Sequence, residues 1–194
     1  MGLFHVAYAC FSMHLQVVFV CSHKNYAKIN NRIKFRGKCL MSSHQFRHAM
    51  SKFATGITIV TSQVNDEVRG MTVNAFMSVS LEPKLITISV DKKTNFYKNH
   101  KDIERFGISV LREEQKDISM IFAKQVNKAY DDFGILDDVP VINNALTTLA
   151  CTVSQTVEAG DHLLVIAEVD AIQMNDGNPI LYFDSKYRTL RNED

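Results

Sequence analysis

Between Gly70 and Ser80 the sequence Gly-Met-Thr-Val-Asn-Ala-Phe-Met-Ser-Val-Ser sets hydroxyl and amide side chains where a strand would carry apolar ones. Thr72, Asn74, Ser78 and Ser80 fall at even spacing, so they share one side of the chain if it stays extended. Such a row offers several hydrogen bonds along a groove, suited to a flat polar heterocycle with a polyol chain. The same alternation also describes the solvent side of an amphipathic strand. A second group, Asp91-Lys-Lys-Thr-Asn95, sits where a strand pattern gives way to a helix pattern. Free N–H groups at the helix start, the Thr94 hydroxyl or the Asn95 amide, and Lys92 or Lys93 beside them could hold a phosphate, although lysines near a helix cap are common. The third group is Gly160-Asp161-His162. Glycine permits a close approach or a positive φ, and histidine can donate to a carbonyl or meet a phosphate while titrating near neutrality. A plain hairpin turn accounts for the Gly-Asp pair and leaves the histidine unexplained.

Other chemistries find no support in the sequence. There is no G-x-G-x-x-G and no G-x-x-x-x-G-K-[ST], so a nucleotide must be held by some other device. C-x-x-C, H-E-x-x-H and EF-hand patterns are missing as well. Cys39, His44 and His48 come nearest to a metal set, with the histidines four apart on one helix face, but no fourth ligand is near and surface histidines on a helix explain the pair better. Cys151 lies in the β pattern Leu149-Ala-Cys-Thr-Val153, where a thiol behaves as a small buried hydrophobe.

The elements that must position these groups can be read from the pattern. Ser42-Ser43 can cap a helix carrying Phe46, Met50 and Phe53 at helical spacing, with Gly56 placed to end it. Ile57–Thr61 and Val68–Val73 read as a hairpin about Asn65-Asp66. Lys84–Val90 is a strand after the break at Glu82-Pro83. Thr94 or Asn95 opens a short helix through His100 or Ile103, Phe106–Leu111 is a strand, and Glu113–Ala123 is helical. Lys124–Asp138 reads as a polar loop. Two long strands, Thr148–Val157 and Leu163–Met174, flank Glu158–His162, and Pro179–Phe183 closes the series after a turn at Asn175–Asn178. Six or seven strands with short connections and two or three short helices imply a mainly β, antiparallel sheet that is closed or nearly closed.

The 194 residues are 46% apolar and 22% charged, the make-up of one globular domain with at most an appendage. Their net charge of +1 is a cancellation: residues 1–40 hold six Lys or Arg and no acid, while residues 41–194 carry a net −5. That negative balance argues against nucleic acid as a partner. Cys10, Cys21 and Cys39 lie in the first part and Cys151 alone in the second, so no disulfide framework is available there, which points to a reducing, cytoplasmic setting. Fifteen of the nineteen residues from Leu3 to Cys21 are apolar, interrupted by His5, Ser12, His14 and Gln16. A membrane anchor through residues 3–21 is therefore the minor alternative, and the basic stretch behind it would keep the following domain in the cytoplasm. The abrupt change in composition at Met41, followed at once by a helix start, suggests that residues 1–40 are an extension outside the working domain at 41–194.

The ordered set Phe46-Arg-His-Ala-Met50, Phe53-Ala-Thr-Gly-Ile-Thr-Ile-Val-Thr61, Thr72-Val-Asn-Ala-Phe76 with Ser78-Val-Ser-Leu-Glu-Pro83, Phe106-Gly-Ile-Ser-Val-Leu111, Gly160-Asp161-His162, and Leu181-Tyr182-Phe183 with Tyr187-Arg188 resembles the flavin reductase family. In particular it is similar to the reductase components of two-component flavin-dependent aromatic monooxygenases. The resemblance spans Ser43 to Leu190 and implies the antiparallel FMN-binding split β-barrel with a few short helices, assembled as a homodimer. It implies FMN, or less often FAD, as cofactor, with NADH or NADPH as co-substrate and a separate oxygenase as partner. By the same resemblance Thr72, Asn74, Ala75, Phe76, Ser78, Val79 and Ser80 line the isoalloxazine and ribityl. Thr94 and Asn95, with Lys93, hold the phosphate. His162, with Gly160 and Asp161, sits where the nicotinamide nucleotide enters, and Tyr187-Arg188 closes the pocket. Two alternatives share the barrel: an FMN-binding electron-transfer protein that is no reductase, and a ligand-free interaction module.

Overall fold

The computed structural model describes residues 42–191. Cys39 and the apolar stretch 3–21 lie outside them, His44 and His48 are exposed on the first helix, and no helix among the described residues is long and apolar enough to cross a membrane. Helix α1, Ser43–Met50, opens with a reciprocal cap: the Ser42 hydroxyl accepts the Gln45 N–H at 3.1 Å and the Gln45 side chain accepts the Ser42 N–H at 3.0 Å. It ends one turn earlier than its apolar spacing predicts. The Ser51 hydroxyl donates to the His48 carbonyl, which closes the last turn, and the chain leaves the helix before Phe53.

Strand β1 is Thr55–Gly56, and β2, Thr58–Val64, forms a hairpin with β3, Glu67–Val73. The turn residues Asn65 and Asp66 have φ of 51° and 63°, the mirror-image turn whose twist matches paired strands. β4 is Phe76–Leu81 and β5 is Lys84–Asp91, followed by the single-turn helix α2, Asn95–Lys98, and by β6, Arg105–Val110. A 3-10 turn at Glu113–Gln115 leads into α3, Lys116–Phe122. The segment read as a polar loop, Lys124–Asp138, then differs from expectation: it contains β7, Phe133–Leu136, which forms a hairpin with β8, Val139–Ile142, just beyond it. Each of these strands has four residues, Pro140 interrupts the second, and the Asp137-Asp138 turn reaches φ of 46° and 63°. So short a pattern with a proline inside gives no two-residue periodicity to read. β9, Thr147–Ala159, and β10, His162–Met174, are the long pair, and β11, Leu181–Phe183, pairs with β12, Lys186–Arg188.

The main sheet runs β3-β2-β6-β9-β10-β5-β4, with every neighbouring pair antiparallel. Its two edges, β3 and β4, are consecutive in the chain and joined only by Asn74-Ala75. Three peptide links span at most about 11 Å, so the sheet must curl until its edges meet at that corner. The result is an antiparallel barrel split between β3 and β4.

Two apolar clusters follow from this closure. Val60, Ile88, Val90, Phe106, Ile108, Leu163 and Val165 belong to the larger one. Ile57, Ile59, Leu111, Ile142, Ala145 and Ile180 form the second, against which Ile118 and Phe122 of α3, Phe133 of β7, and Tyr182 and Tyr187 of β11 and β12 pack. β2 serves both, sending Val60 and Val64 to the first and Ile59 to the second. A strand covered on both faces needs apolar residues at successive positions, which is how Ile57-Thr-Ile-Val60 reads.

Candidate functional site

A cavity of ≈ 550 Å³ opens beside β2 and β3, bounded by the start of α2 and the end of α3. Its apolar walls include Val60, Val64, Met71, Phe96, Ile103 and Phe122, and its polar groups include Thr72, Lys93, Thr94 and Asn95. Two of the three stretches singled out by chemistry thus meet at one space, although twenty residues and two strands lie between them in sequence.

Thr72 is on β3, where its hydroxyl donates to the Ser119 carbonyl of α3 at 2.8 Å. Lys93 is exposed and forms no ion pair among the described residues, while its N–H donates to the Asp91 carboxylate at 2.8 Å. Thr94 caps α2: its hydroxyl donates to the Asp91 carbonyl at 2.8 Å and accepts the Tyr97 N–H at 3.2 Å. With its proton and one lone pair committed to the cap, Thr94 shapes the turn, while Lys93 and Asn95 bring a cation and an amide to the cavity.

The row expected from Thr72 to Ser80 does not survive folding. Asn74 and Ala75 form the corner between the two sheet edges, with the Phe76 N–H turned back onto the Asn74 carbonyl at 3.0 Å and the Ser89 N–H bonded to the Ala75 carbonyl at 3.0 Å. Thr72 therefore stands on one edge, and Ser78, Val79 and Ser80 on the other. A register shift between Ser78 and Ser80 makes Val79 a bulge and breaks the alternation a second time. Phe76 packs against the larger apolar cluster, and Ser78, Val79 and Ser80 do not line the cavity.

Gly160, at φ 62°, makes the tip of the β9–β10 hairpin, a conformation that glycine adopts without steric cost. Asp161 follows, and its carboxylate meets His162 Nδ1 at 2.8 Å, which holds the carboxyl below its usual range. His162 is paired in register with Asp91, so the tip lies beside the turn that leads to Lys93. Tyr187 on β12 shares a hydrogen bond with the Ser119 hydroxyl at 3.1 Å, and through Ser119 it reaches the same stretch of α3 that Thr72 bonds. Arg188 is exposed at the strand end and does not line the cavity.

Several contributors escaped the sequence reading. Phe122 walls the cavity and lies over Gly70, where a Cβ would come within 2.5 Å of its ring. The glycine inside a strand pattern was the available signal, since it marks a close approach. Arg69 and Lys124 also line the cavity, Arg69 being paired with Glu67 at 3.0 Å. Lys92 turns away from the role open to it in sequence and bonds the hairpin tip instead: its Nζ donates to the Gly160 carbonyl at 2.9 Å. Cys151 is fully buried in the barrel, and burial pushes its thiol up to about 12. The thiol is a core group, as the β pattern implied.

Split barrel, corner and cavity bring Thr72, Lys93 and Asn95 to one space. Residues 50–191 match the flavin reductase like domain, and the chain belongs to that family. It is 36% identical over 148 residues to an NADH-dependent flavin reductase of a Rhodococcus species, covering 74% of this chain and 84% of the relative. It is 34% identical over 146 residues to the reductase component of 4-hydroxyphenylacetate 3-monooxygenase of Thermus thermophilus, covering 75% and 95%. Among solved structures, a flavin reductase in its native state superposes with a TM-score of 0.76 at 42% identity, over 78% of this chain and all of that one.

Proposed function

We propose that the protein is an NADH-dependent flavin reductase that supplies reduced flavin to a separate monooxygenase, with FMN as the preferred flavin. The class, a flavin oxidoreductase, follows from its family. The observation that carries the finer reading is the ≈ 550 Å³ cavity, where Thr72 of one strand edge meets Lys93 and Asn95 at the start of α2 between apolar walls. Such a lining fits a flat ring with one polar edge and a phosphate tail. Bound flavin accepts the hydride that a nicotinamide ring gives up, so the protein need supply no strong acid or base.

The chain's own residues bind and orient. Lys93 and Asn95 meet the phosphate, and Thr94 keeps their turn in shape. Thr72 meets the ring at the cavity, and the ligand extends past the cavity lining along the Asn74–Phe76 corner to Ser78, Val79 and Ser80 on the opposite edge. Gly160 lets the nicotinamide nucleotide approach the backbone, and Asp161 fixes the His162 ring through Nδ1, leaving Nε2 to meet the nucleotide. Tyr187 and Arg188 close the pocket. His162 is a binding and orienting group.

A homodimer is part of the same proposal. Met77, Val79 and Leu81 of edge strand β4 are 60%, 47% and 80% exposed, and Phe46, Met50 and Phe53 of the α1 region are equally bare, at 49%, 55% and 77%. A second copy would cover this apolar surface. The lone described cysteine, buried and unpaired, supports a cytoplasmic setting. Residues 41–194 carry the activity, and residues 1–40 are dispensable for it.

The test is steady-state oxidation of NADH and NADPH with FMN, FAD and riboflavin offered in turn, for the full chain and for a chain starting at Met41. Oxidation of NADH that rises with added FMN, and is equal in both chains, is the expected result. A yellow protein that ignores both nicotinamide nucleotides would defeat the reductase reading, and loss of folding on truncation would defeat the domain boundary.

A further inference from the structure

Residues Asp91–Asn95 are bonded in two directions at once. Toward α2, the Asp91 carbonyl accepts the Thr94 N–H at 3.0 Å and the Thr94 hydroxyl at 2.8 Å, so the helix start is fixed to Asp91. Toward the β9–β10 hairpin, the Lys92 N–H donates to the Asp161 carbonyl at 3.1 Å and Lys92 Nζ donates to the Gly160 carbonyl at 2.9 Å. Lys92 Nζ also pairs with the Glu158 carboxylate, which accepts the Tyr97 hydroxyl at 3.3 Å. The Tyr97 ring in turn stacks on His100, with centroids 5.0 Å apart.

The hairpin needs this tie. Every residue from Ser154 to Asp161 is exposed and this half of β9 pairs with β10 alone, so the β9 side of the tip is free to fray while β5 holds His162 and Leu163 of β10 through Asp91 and Val90. Lys92 is the one side chain that holds the tip to the strand opposite from both its backbone and its ammonium group. The ion pair holds the Lys92 ammonium above its ordinary value and the Glu158 carboxyl below, so both stay charged across the neutral range.

We propose that Lys92 is a positioning residue: it sets the distance between His162 on the hairpin and the Lys93–Asn95 turn at the cavity, and touches neither ligand. The inference rests on the reductase reading, because the distance matters only if His162 and that turn hold two parts of one reacting pair. A misplacement of the orienting group then weakens capture of the nicotinamide nucleotide and leaves flavin binding to the other edge.

Four variants decide it: Lys92→Met, Lys92→Arg, His162→Ala, and Lys92→Met combined with His162→Ala. Lys92→Met should raise KM for NADH by roughly fivefold to tenfold, a positioning effect, with kcat and flavin affinity by fluorescence quenching changed less than about twofold. Lys92→Arg, which keeps the charge and the reach to Glu158, should restore most of the KM. In the double variant the loss should be no greater than that of His162→Ala alone, because the tie acts through the histidine. Amide exchange at 158–162 should speed up in Lys92→Met and in no other strand. Unchanged exchange, unchanged KM, or full additivity with His162→Ala would each overturn the assignment. Failure of the unmodified protein to oxidise NADH would instead sink the reductase reading, and the positioning role with it.

Discussion

The barrel interior and the barrel rim are made of the same strands and follow opposite rules. Inside, β5 sends Ile86, Ile88 and Val90 into an apolar cluster where none is more than 5% exposed. Next to it in the same sheet, β4 leaves Met77, Val79 and Leu81 bare, and the hairpin tip at Gly160 is exposed throughout. The interior contains no charged side chain among its buried residues, whereas the ion pairs Lys92–Glu158, Lys52–Asp184 and Arg69–Glu67 all lie outside. The contrast separates two tasks. Burial supplies the stability, and the edges leave polar and apolar groups exposed.

That division can be broken from the inside first. Phe106 is fully buried and meets Phe96 edge-on at 5.9 Å, so Phe106→Ala should cost about 3–5 kcal/mol in urea unfolding. A cost below about 1 kcal/mol would mean that the interior is not where stability resides. On the rim, Met77→Asp with Leu81→Asp should leave the far-ultraviolet spectrum unchanged and weaken self-association by at least about a hundredfold, since like charges would face each other across the joint. Sedimentation that shows an unchanged dimer, or a monomeric parent protein, would remove β4 from the proposed interface. His162→Ala should raise KM for NAD(P)H about tenfold, the loss of one ligand hydrogen bond, with flavin affinity and the unfolding midpoint nearly unmoved. If flavin binding fell more than KM rose, the histidine would belong to the flavin.

The effect that vanishes at neutral pH, a loss of stability with rising pH, concerns Cys151. Its thiol is raised from 9.0 to about 12 in the fold by burial, so the unfolded chain loses that proton first. The contribution is present below pH 9.0 and declines between 9.0 and about 12, with a slope of at most about 1.4 kcal/mol per pH unit. Cys151→Ala should flatten that part of the stability profile. Peptide mapping after iodoacetamide at pH 8.5 should find Cys151 unlabelled in the native protein and labelled in urea, and native labelling would contradict its burial.

How much of this was legible follows from where each signal lives. The capped start of α1, the Asn65-Asp66 turn, the long β9–β10 pair and the buried character of Cys151 were all readable, because turn chemistry and two-residue alternation act between near neighbours. The β7–β8 hairpin was not, being four residues a side with a proline within. Thr72, Lys93, Thr94 and Asn95, singled out in sequence, line one cavity, yet the row from Thr72 to Ser80 was drawn on one side of a chain that turns a corner at Asn74-Ala75. Phe122 left a trace only in Gly70, the residue it lies against.

By itself the sequence determined the elements and the residue types that bear chemistry, along with the family whose ordered motifs it carries. Tertiary structure alone decided that β3 and β4 are opposite edges of a split barrel, that Thr72 faces the same cavity as Lys93, and that Lys92 bonds the hairpin tip and not the Lys93–Asn95 turn. The reason is distance along the chain: Lys92 and Gly160 are 68 residues apart, Thr72 and Ser119 are 47. Local pattern sets which way a side chain can point, and only closure of the sheet sets what it meets.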